Sequence, residues 1–495
     1  MAQAVRWGEV RAPEIDRPGI AWLNVAAPLP LEALRGRLVI LDFWTFCCID
    51  CLQIIPTLKR VEARFPDTVA VIGIHSPKFQ AEKDIANVRE AVARYGIEHP
   101  VAHDPEFQIW RQYGVRAWPT MVFIGPDGSV IGQTSGEPDP QRFEDAVAEL
   151  VQEGLRNGSL VAAAPLLAAP RAAPTRLSFP GKIKPLPGTP KRWIVADGGH
   201  HQVVVFDDAG RELERYGSGA AGFEDGSPAK AAFNSPQGLI ASAEAIYVAD
   251  TFNHAIRRID RATGGVTTLA GRATRGPALR GPQPGREAAL ASPWDLELLD
   301  GGRLAFCNAG SHQLGVLDLA DSTVRPLAGN GGESIVDGLA LQAQLAQPSG
   351  LARDAEGRTL YFADSETSAI RALDLGAVPS VRTVVGTGLF DFGHVNGPAA
   401  TARLQHALGL AWLPGRIVVA DSYNAALRVI DLAAGTVADI EDPPFLCEDA
   451  LCLPYGEPAG VAADGPGRLL LSDTNNHRIV ELRVPERRTR TWSQA

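Results

Sequence analysis

A unit of 52–58 residues recurs beyond residue 174, marked by Asp197, Asp250, Asn308, Asp364, Asp421 and Asp473. One copy reads Asn234-Ser-Pro236-Gln-Gly238-Leu, then Ala245-Ile-Tyr-Val-Ala-Asp250, then Asn253-His254-Ala-Ile. Another reads Glu457-Pro458-Ala-Gly460-Val, Leu469-Leu-Leu-Ser-Asp473 and Asn476-His477-Arg-Ile-Val. Each copy supplies an apolar strand, an Asp-containing turn, a second apolar strand and a polar loop. One such unit cannot bury its own faces, whereas units stacked radially can. Six copies predict six blades, so residues 176–495 are expected to form an all-β, six-bladed β-propeller. The repeated Asp and Asn-His residues are expected to be structural, bonded to turn amides. The third copy is degenerate, with Asn308 for Asp and Ser311-His312 for Asn-His. The first shows no clear Pro-x-Gly, so its closure against the last is not set by the pattern.

The loops 271–292, 329–347, 386–406 and 440–457 each lead from the outer strand of one blade to the inner strand of the next. All are therefore expected on one face, which is the candidate docking face for a protein partner or for the redox domain. Packing between blades is the alternative use.

The N-terminal 157 residues follow a different rule. Leu38–Trp44 is an apolar run broken only by Asp42, as in a buried strand. Leu52, Ile55, Leu58, Val61 and Phe65 fall on one face of a helix. Val69–Ile74 and Met121–Ile124 read as further strands, and 82–95 and 140–156 as helices. The alternation predicts an α/β domain over 1–157, with its core at about 20–155. The Ala- and Pro-containing stretch 158–175 reads as a linker.

Three of the six cysteines, Cys47, Cys48 and Cys51, lie within five residues where the first strand gives way to a helix. At a helix N-terminus, unpaired N–H groups and the positive dipole end favour a Cys48 thiolate. Cys51, one turn on, is placed to resolve a mixed disulfide. Asp50 in the first turn opposes the dipole, so a couple less oxidising than a Pro-containing one is expected. Cys47 is a candidate auxiliary thiol or a packing residue. A zinc or iron–sulfur site would need a fourth ligand, for which His75 is the nearest candidate. No metal and no organic cofactor is expected. Cys447 and Cys452 are expected as free thiols, with a local disulfide or a metal site as the alternatives, and Cys307 as core.

The segment from Leu41 to Cys51 resembles the thioredoxin superfamily, and the repeats resemble the NHL family. The resemblance implies that Asp42 is the buried acid that exchanges protons with the second cysteine. It implies that Pro56 is the helix-kinking proline, and that Trp118-Pro119-Thr120 is the cis-proline loop shaping the substrate groove. A cis peptide is essentially a proline property, and Pro119 is the proline available there. Thr45 and Cys48 match half of a peroxiredoxin signature, but Leu41 stands where that signature has proline. Together, the Cys-Cys-Ile-x-Cys motif, His75-Ser76 and the repeats resemble the NHL repeat-containing protein 2 family. That family joins a thioredoxin-like domain to an NHL propeller.

These features imply a thiol–disulfide oxidoreductase acting on a protein disulfide or thiol substrate. Cys48 is the nucleophile, Cys51 the resolving thiol and Asp42 the proton carrier, and the propeller serves as substrate or partner platform. A non-catalytic redox-sensing or interaction scaffold and a thiol peroxidase are the alternatives. Net charge is −10 and no basic run is present, so nucleic acid is not an expected partner. No apolar run reaches the roughly 18 residues of a membrane span, the N-terminal segment carries no apolar signal core, and cysteines are clustered for chemistry. A cytoplasmic, membrane-free protein is expected.

Overall fold

The computed structural model describes residues 7–166, 175–449 and 453–493. They fall into two compact units, Met1–Ala173 and Pro174–Ala495.

The first unit is a six-stranded sheet flanked by helices. Its strands are β1 (Ala21–Leu23), β2 (Leu38–Trp44), β3 (Val69–His75), β4 (Val101–His103), β5 (Thr120–Ile124) and β6 (Val130–Ser135), in spatial order β1-β4-β3-β2-β5-β6. The apolar run of β2 places it centrally, parallel to β3 and antiparallel to β5. Its two faces feed two separate cores. Val39, Leu41 and Phe43 pack with Ile72, Ile74 and Val122. Leu38 and Ile40 pack with Ile54, Leu58 and Val147 from helices α1 (Ile49–Arg64) and α4 (Pro140–Arg156). Such alternation on a strand covered on both sides is what a doubly flanked sheet requires.

Where a helix was expected over 82–95, the chain forms a 3-10 turn, Gln80–Lys83, and then α2 (Ile85–Arg94). Asp84 separates them because its carboxylate caps the Ala86 amide at 2.9 Å. A further short helix, α3, spans Gln108–Gln112. The expected linker does not begin at 158. Leu160 is buried in the core behind α4, Val161 N–H donates to Gly36 at 2.8 Å, and Ala163 N–H donates to Asp67 at 3.0 Å. Residues 158–166 are thus held on the first unit, and 167–174 lie outside the described residues.

The second unit is a six-bladed propeller, each blade built on four consecutive antiparallel strands. The innermost strands are Pro180–Leu186, Gly238–Ala241, Pro293–Leu299, Pro348–Arg353, Gly409–Leu413 and Pro458–Ala463, and each touches the next around a closed ring. The glycine of the Pro-x-Gly element has a steric role here. A Cβ at Gly460 would meet Gly181 O at 2.6 Å, and one at Gly350 would meet Leu408 O at 2.4 Å. The bare backbone lets neighbouring blades approach this closely.

The marker residues Asp197, Asp250, Asn308, Asp364, Asp421 and Asp473 are all fully buried. Oδ1 of each accepts a loop amide at 2.6–2.8 Å. In five blades Oδ2 takes a guanidinium N–H at 2.6–2.9 Å, from Arg215, Arg257, Arg371, Arg428 or Arg478. In the third blade Asn308 is neutral, and the partner changes with it. Gln313 bonds Leu279 on both sides and reaches Ser311 at 3.2 Å, so no buried charge is left alone. The histidine of Asn-His adopts positive φ after the turn. Its Nδ1 then accepts an amide from the next blade: His201 from Ser235, His254 from Ser292 and His312 from Gln347, at 3.0–3.2 Å.

The same device closes the ring. His477 Nδ1 accepts Phe179 N–H at 3.1 Å, Thr474 Oγ1 donates to Pro180 O at 2.8 Å, and Trp492 packs on Trp193 and Phe206. The first blade does carry its glycine, as Pro180-Gly181. Among the described residues no strand is exchanged between the first and last blades; closure rests on side-chain packing and these bonds.

The four long loops contribute short strands, Gln283–Pro284, Gly338–Leu339, Gly397–Pro398 and Leu446–Cys447, to the outer edges of blades three to six. Covering an otherwise open edge is a packing use of these loops.

Candidate active site

β2 ends at Trp44, and the chain turns through Thr45-Phe46-Cys47 before entering α1. Cys48 is the N-cap of that helix. Its backbone is extended, and its sulfur accepts the Cys51 amide at 3.3 Å. This is the place where a helix offers unpaired donors and the positive end of its dipole to a thiolate. Cys48 is half-buried, while Cys51 is 1% exposed. Burial pushes the Cys51 thiol well above its ordinary value, and the neighbouring Cys48 sulfur and the Asp42 carboxylate add to the rise. The two cysteines therefore differ in kind, one presented and the other shielded. Asp50 lies in the first turn of α1 and Pro56 inside it.

Asp42 sits on β2 opposite Gly73 of β3 and Met121 of β5. It is fully enclosed, and Oδ1 has no protein hydrogen-bond partner. Burial pushes its carboxyl up to about 7, against a smaller opposing pull from His99. A carboxyl raised to about 7 takes up and gives up protons near neutral pH.

The Trp118–Pro119 peptide is cis. The antiparallel register sets Thr120 opposite Phe43, which brings this peptide beside the strand end that leads to the cysteines. Trp118 is fixed by donation from Nε1 to Ser76 O at 2.9 Å and by packing on Trp110 at 4.6 Å between ring centroids.

Two further buried groups line this site: Glu82, which the sequence did not single out, and His75, which it offered only as a candidate fourth metal ligand and as part of the family resemblance. Glu82 is completely buried and bonds Thr45 and the Cys47 amide. His75, at the end of β3, is also fully buried. It stacks on Phe46 with centroids 5.4 Å apart, and its Nδ1 lies 3.2 Å from Nδ1 of His103. His103 Nε2 reaches Lys83 O at 3.0 Å. Burial lowers the proton affinity of both rings, which holds this pair neutral. The adjacency of His75 to the end of a buried strand was the available signal. Glu82 gave none: its partners lie three to 37 positions away, and those at Thr45 and Cys47 belong to a different loop.

Cys47 is buried, with its sulfur 3.9 Å from Thr45 Oγ1. Among the described residues no three His, Cys, Asp or Glu side chains converge as a metal site. Cys307 is buried in the third blade. Cys447 is disulfide-bonded, not the free thiol expected, and Cys452 lies outside the described residues. Among the described residues no helix is long and apolar enough to cross a membrane.

A family model described as thioredoxin-like matches residues 36–130. Thiol-disulfide oxidoreductase ResA of Bacillus anthracis is 32% identical over 117 residues, covering 23% of this chain and 65% of that protein. SUPPRESSOR OF QUENCHING 1, a chloroplastic protein of Arabidopsis thaliana, is 38% identical over 482 residues, covering 92% of this chain. The chain spans 45% of that protein's length. NHL repeat-containing protein 2 of Gallus gallus is 35% identical over 519 residues, covering 95% of this chain and 70% of its own length. A thioredoxin-like domain followed by six NHL blades, matched along nearly its whole length, places this chain in the NHL repeat-containing protein 2 family.

Proposed function

We propose that the chain is a thiol–disulfide oxidoreductase acting on protein disulfides through Cys48 and Cys51. The asymmetry of the pair carries this reading: a half-buried Cys48 capping α1 and an enclosed, proton-retaining Cys51. In the reductive direction, the Cys48 thiolate attacks one sulfur of a substrate disulfide. A mixed disulfide forms, and the other substrate sulfur leaves as a thiolate that takes a proton. Cys51 passes its proton to the Asp42 carboxylate and attacks the Cys48 sulfur. The Cys48–Cys51 disulfide forms and the second substrate thiolate is released. Two electrons move from the protein dithiol to the substrate, and an external dithiol restores the couple. The cis Trp118–Pro119 peptide borders the groove in which an extended substrate segment pairs. The propeller serves as the platform that selects the protein partner, and a reducing compartment such as the cytoplasm suits the couple.

The test uses the full, reduced chain and glutathione disulfide. Oxidation is expected to remove two hydrogens per chain and to link Cys48 to Cys51 in the peptide map. Cys48→Ser is expected to abolish it. Reaction that persists in Cys48→Ser, or that links other cysteines, contradicts the assignment.

A further inference from the structure

We propose that Glu82 is a positioning residue for the Cys48–Cys51 couple, and that its buried negative charge makes the couple more reducing. The inference rests on the exchange activity proposed above.

The Glu82 side chain is completely enclosed, and among the described residues four donors reach its carboxylate. Oε1 accepts the Thr45 hydroxyl at 2.6 Å and the Cys47 amide at 3.0 Å. Oε2 accepts the Lys78 and Phe79 amides at 2.8 and 2.9 Å. Two donors on each oxygen suit an ionised carboxylate, since a protonated one would turn an O–H toward a group that donates. The 2.6 Å contact has the length of a charge-assisted O–H···O⁻ bond.

Those four donors come from two different loops. Thr45 and Cys47 lie between β2 and α1, while Lys78 and Phe79 follow β3. One side chain therefore ties together the ends of two parallel strands at the point where the reactive thiol emerges. Cys47 is the residue before Cys48. With its amide committed to Glu82, the orientation of the next residue is set, and Cys48 meets the Cys51 amide as the helix cap.

The charge acts separately from the geometry. A full negative charge about one residue from Cys48, shielded from water, opposes a thiolate there through a medium of low effective dielectric. Destabilising the thiolate destabilises the reduced form relative to the disulfide, so the dithiol gives up its electrons more readily. Glu82 thus works with Asp50 of the first helical turn against the helix dipole.

The experiment equilibrates the full chain with reduced and oxidised glutathione. It measures the equilibrium constant for forming the Cys48–Cys51 disulfide and the rate at which Cys48 reacts. Glu82→Gln removes the charge and sets an NH₂ against one pair of amides. It is expected to lower the equilibrium constant about tenfold, equivalent to roughly 30 mV. An unchanged constant in folded Glu82→Gln overturns the electrostatic half of the proposal. Glu82→Asp keeps the charge but is one methylene too short to reach both loops. It is expected to hold the constant within about threefold while slowing Cys48 about tenfold, since misplaced reactants lose rate steeply. An unchanged rate overturns the positioning half, and this variant decides the matter if Glu82→Gln does not fold. A purely structural Glu82 would lower stability in both variants and leave the equilibrium constant of the folded protein unmoved. A wild-type chain that does not exchange with glutathione at all contradicts the parent reading instead.

Discussion

The amide of Cys51 donates to the sulfur of Cys48 at 3.3 Å, so the residue with the buried thiol supplies a backbone bond to the half-buried one. The couple is assembled by helix geometry: the cap position presents one sulfur, and the first turn buries the other. What surrounds it, Asp42 below and Glu82 beside, supplies charge and proton affinity where the helix alone supplies only donors.

Asp42 gives the site a pH signature in stability. Its carboxyl rises from the ordinary carboxylate value to about 7 on folding. The folded protein therefore binds more protons than the unfolded chain between those values, so stability is fully present below about pH 4 and declines as pH rises to about 7. The decline amounts to about 4 kcal/mol for a shift of this size. Denaturant unfolding of wild type and Asp42→Asn from pH 4 to 8 is expected to show the slope in wild type and a flatter profile in the variant.

On the proposed mechanism, Asp42→Asn also removes the acceptor for the Cys51 proton. Resolution of a Cys48 mixed disulfide at pH 7 is expected to slow on the order of 10²-fold, the scale of lost general-base assistance. Initial attack by Cys48 should change far less. Rapid-quench mass spectrometry of the two steps separates them, and equal slowing of both would count against the proton-carrier role.

Cys47 is enclosed and lies beside Thr45, so alkylation of the native reduced chain is expected at Cys48 in preference to Cys47. Cys47→Ala is expected to leave exchange within about threefold. A Cys47–Cys48 linkage in the oxidised peptide map would assign Cys47 a redox role instead.

Much of this arrangement was legible in sequence, and the failures have particular causes. β2, the face of α1 and the span of α4 follow from the apolar pattern, which Asp42 alone interrupts in β2. β1 and β4 are three residues each, too short to show a period. Glu82 read as the start of a helix, because a one-turn 3-10 segment before an Asp cap carries the same local pattern. The first blade read as lacking its glycine because Pro180-Gly181 omits the middle residue of the element. The Asn308–Gln313 exchange looked like decay and is compensation, visible only once both side chains are seen to serve one buried node.

That compensation predicts a coupling elsewhere in the ring. Asp250 and Arg257 are both fully buried and bonded at 2.7 Å, and burial still pushes the Asp250 carboxyl up to about 6. Arg257→Met strands the carboxylate and is expected to cost about 3–5 kcal/mol. Adding Asp250→Asn, which copies the neutral third blade, should recover at least half of that in a double-mutant cycle by denaturant unfolding. Simple additivity of the two losses would show that the pair is not one node.

Ring closure concentrates on Trp492, which is 1% exposed and packs on Trp193 and Phe206. Trp492→Ala is expected to destabilise the propeller by about 3–5 kcal/mol. Cleavage in limited proteolysis should begin in the first and last blades, whereas cleavage spread evenly over six blades would place the weak point elsewhere.

The most direct test of the redox assignment is a trap in the full chain. Cys51→Ser, reduced and then mixed with a small excess of glutathione disulfide, is predicted to accumulate one glutathione per chain on Cys48. That adduct should be released by added thiol, and wild type should pass through it without accumulation. Failure of Cys48 to form the adduct while the protein remains folded, or its appearance on Cys47, would contradict the account.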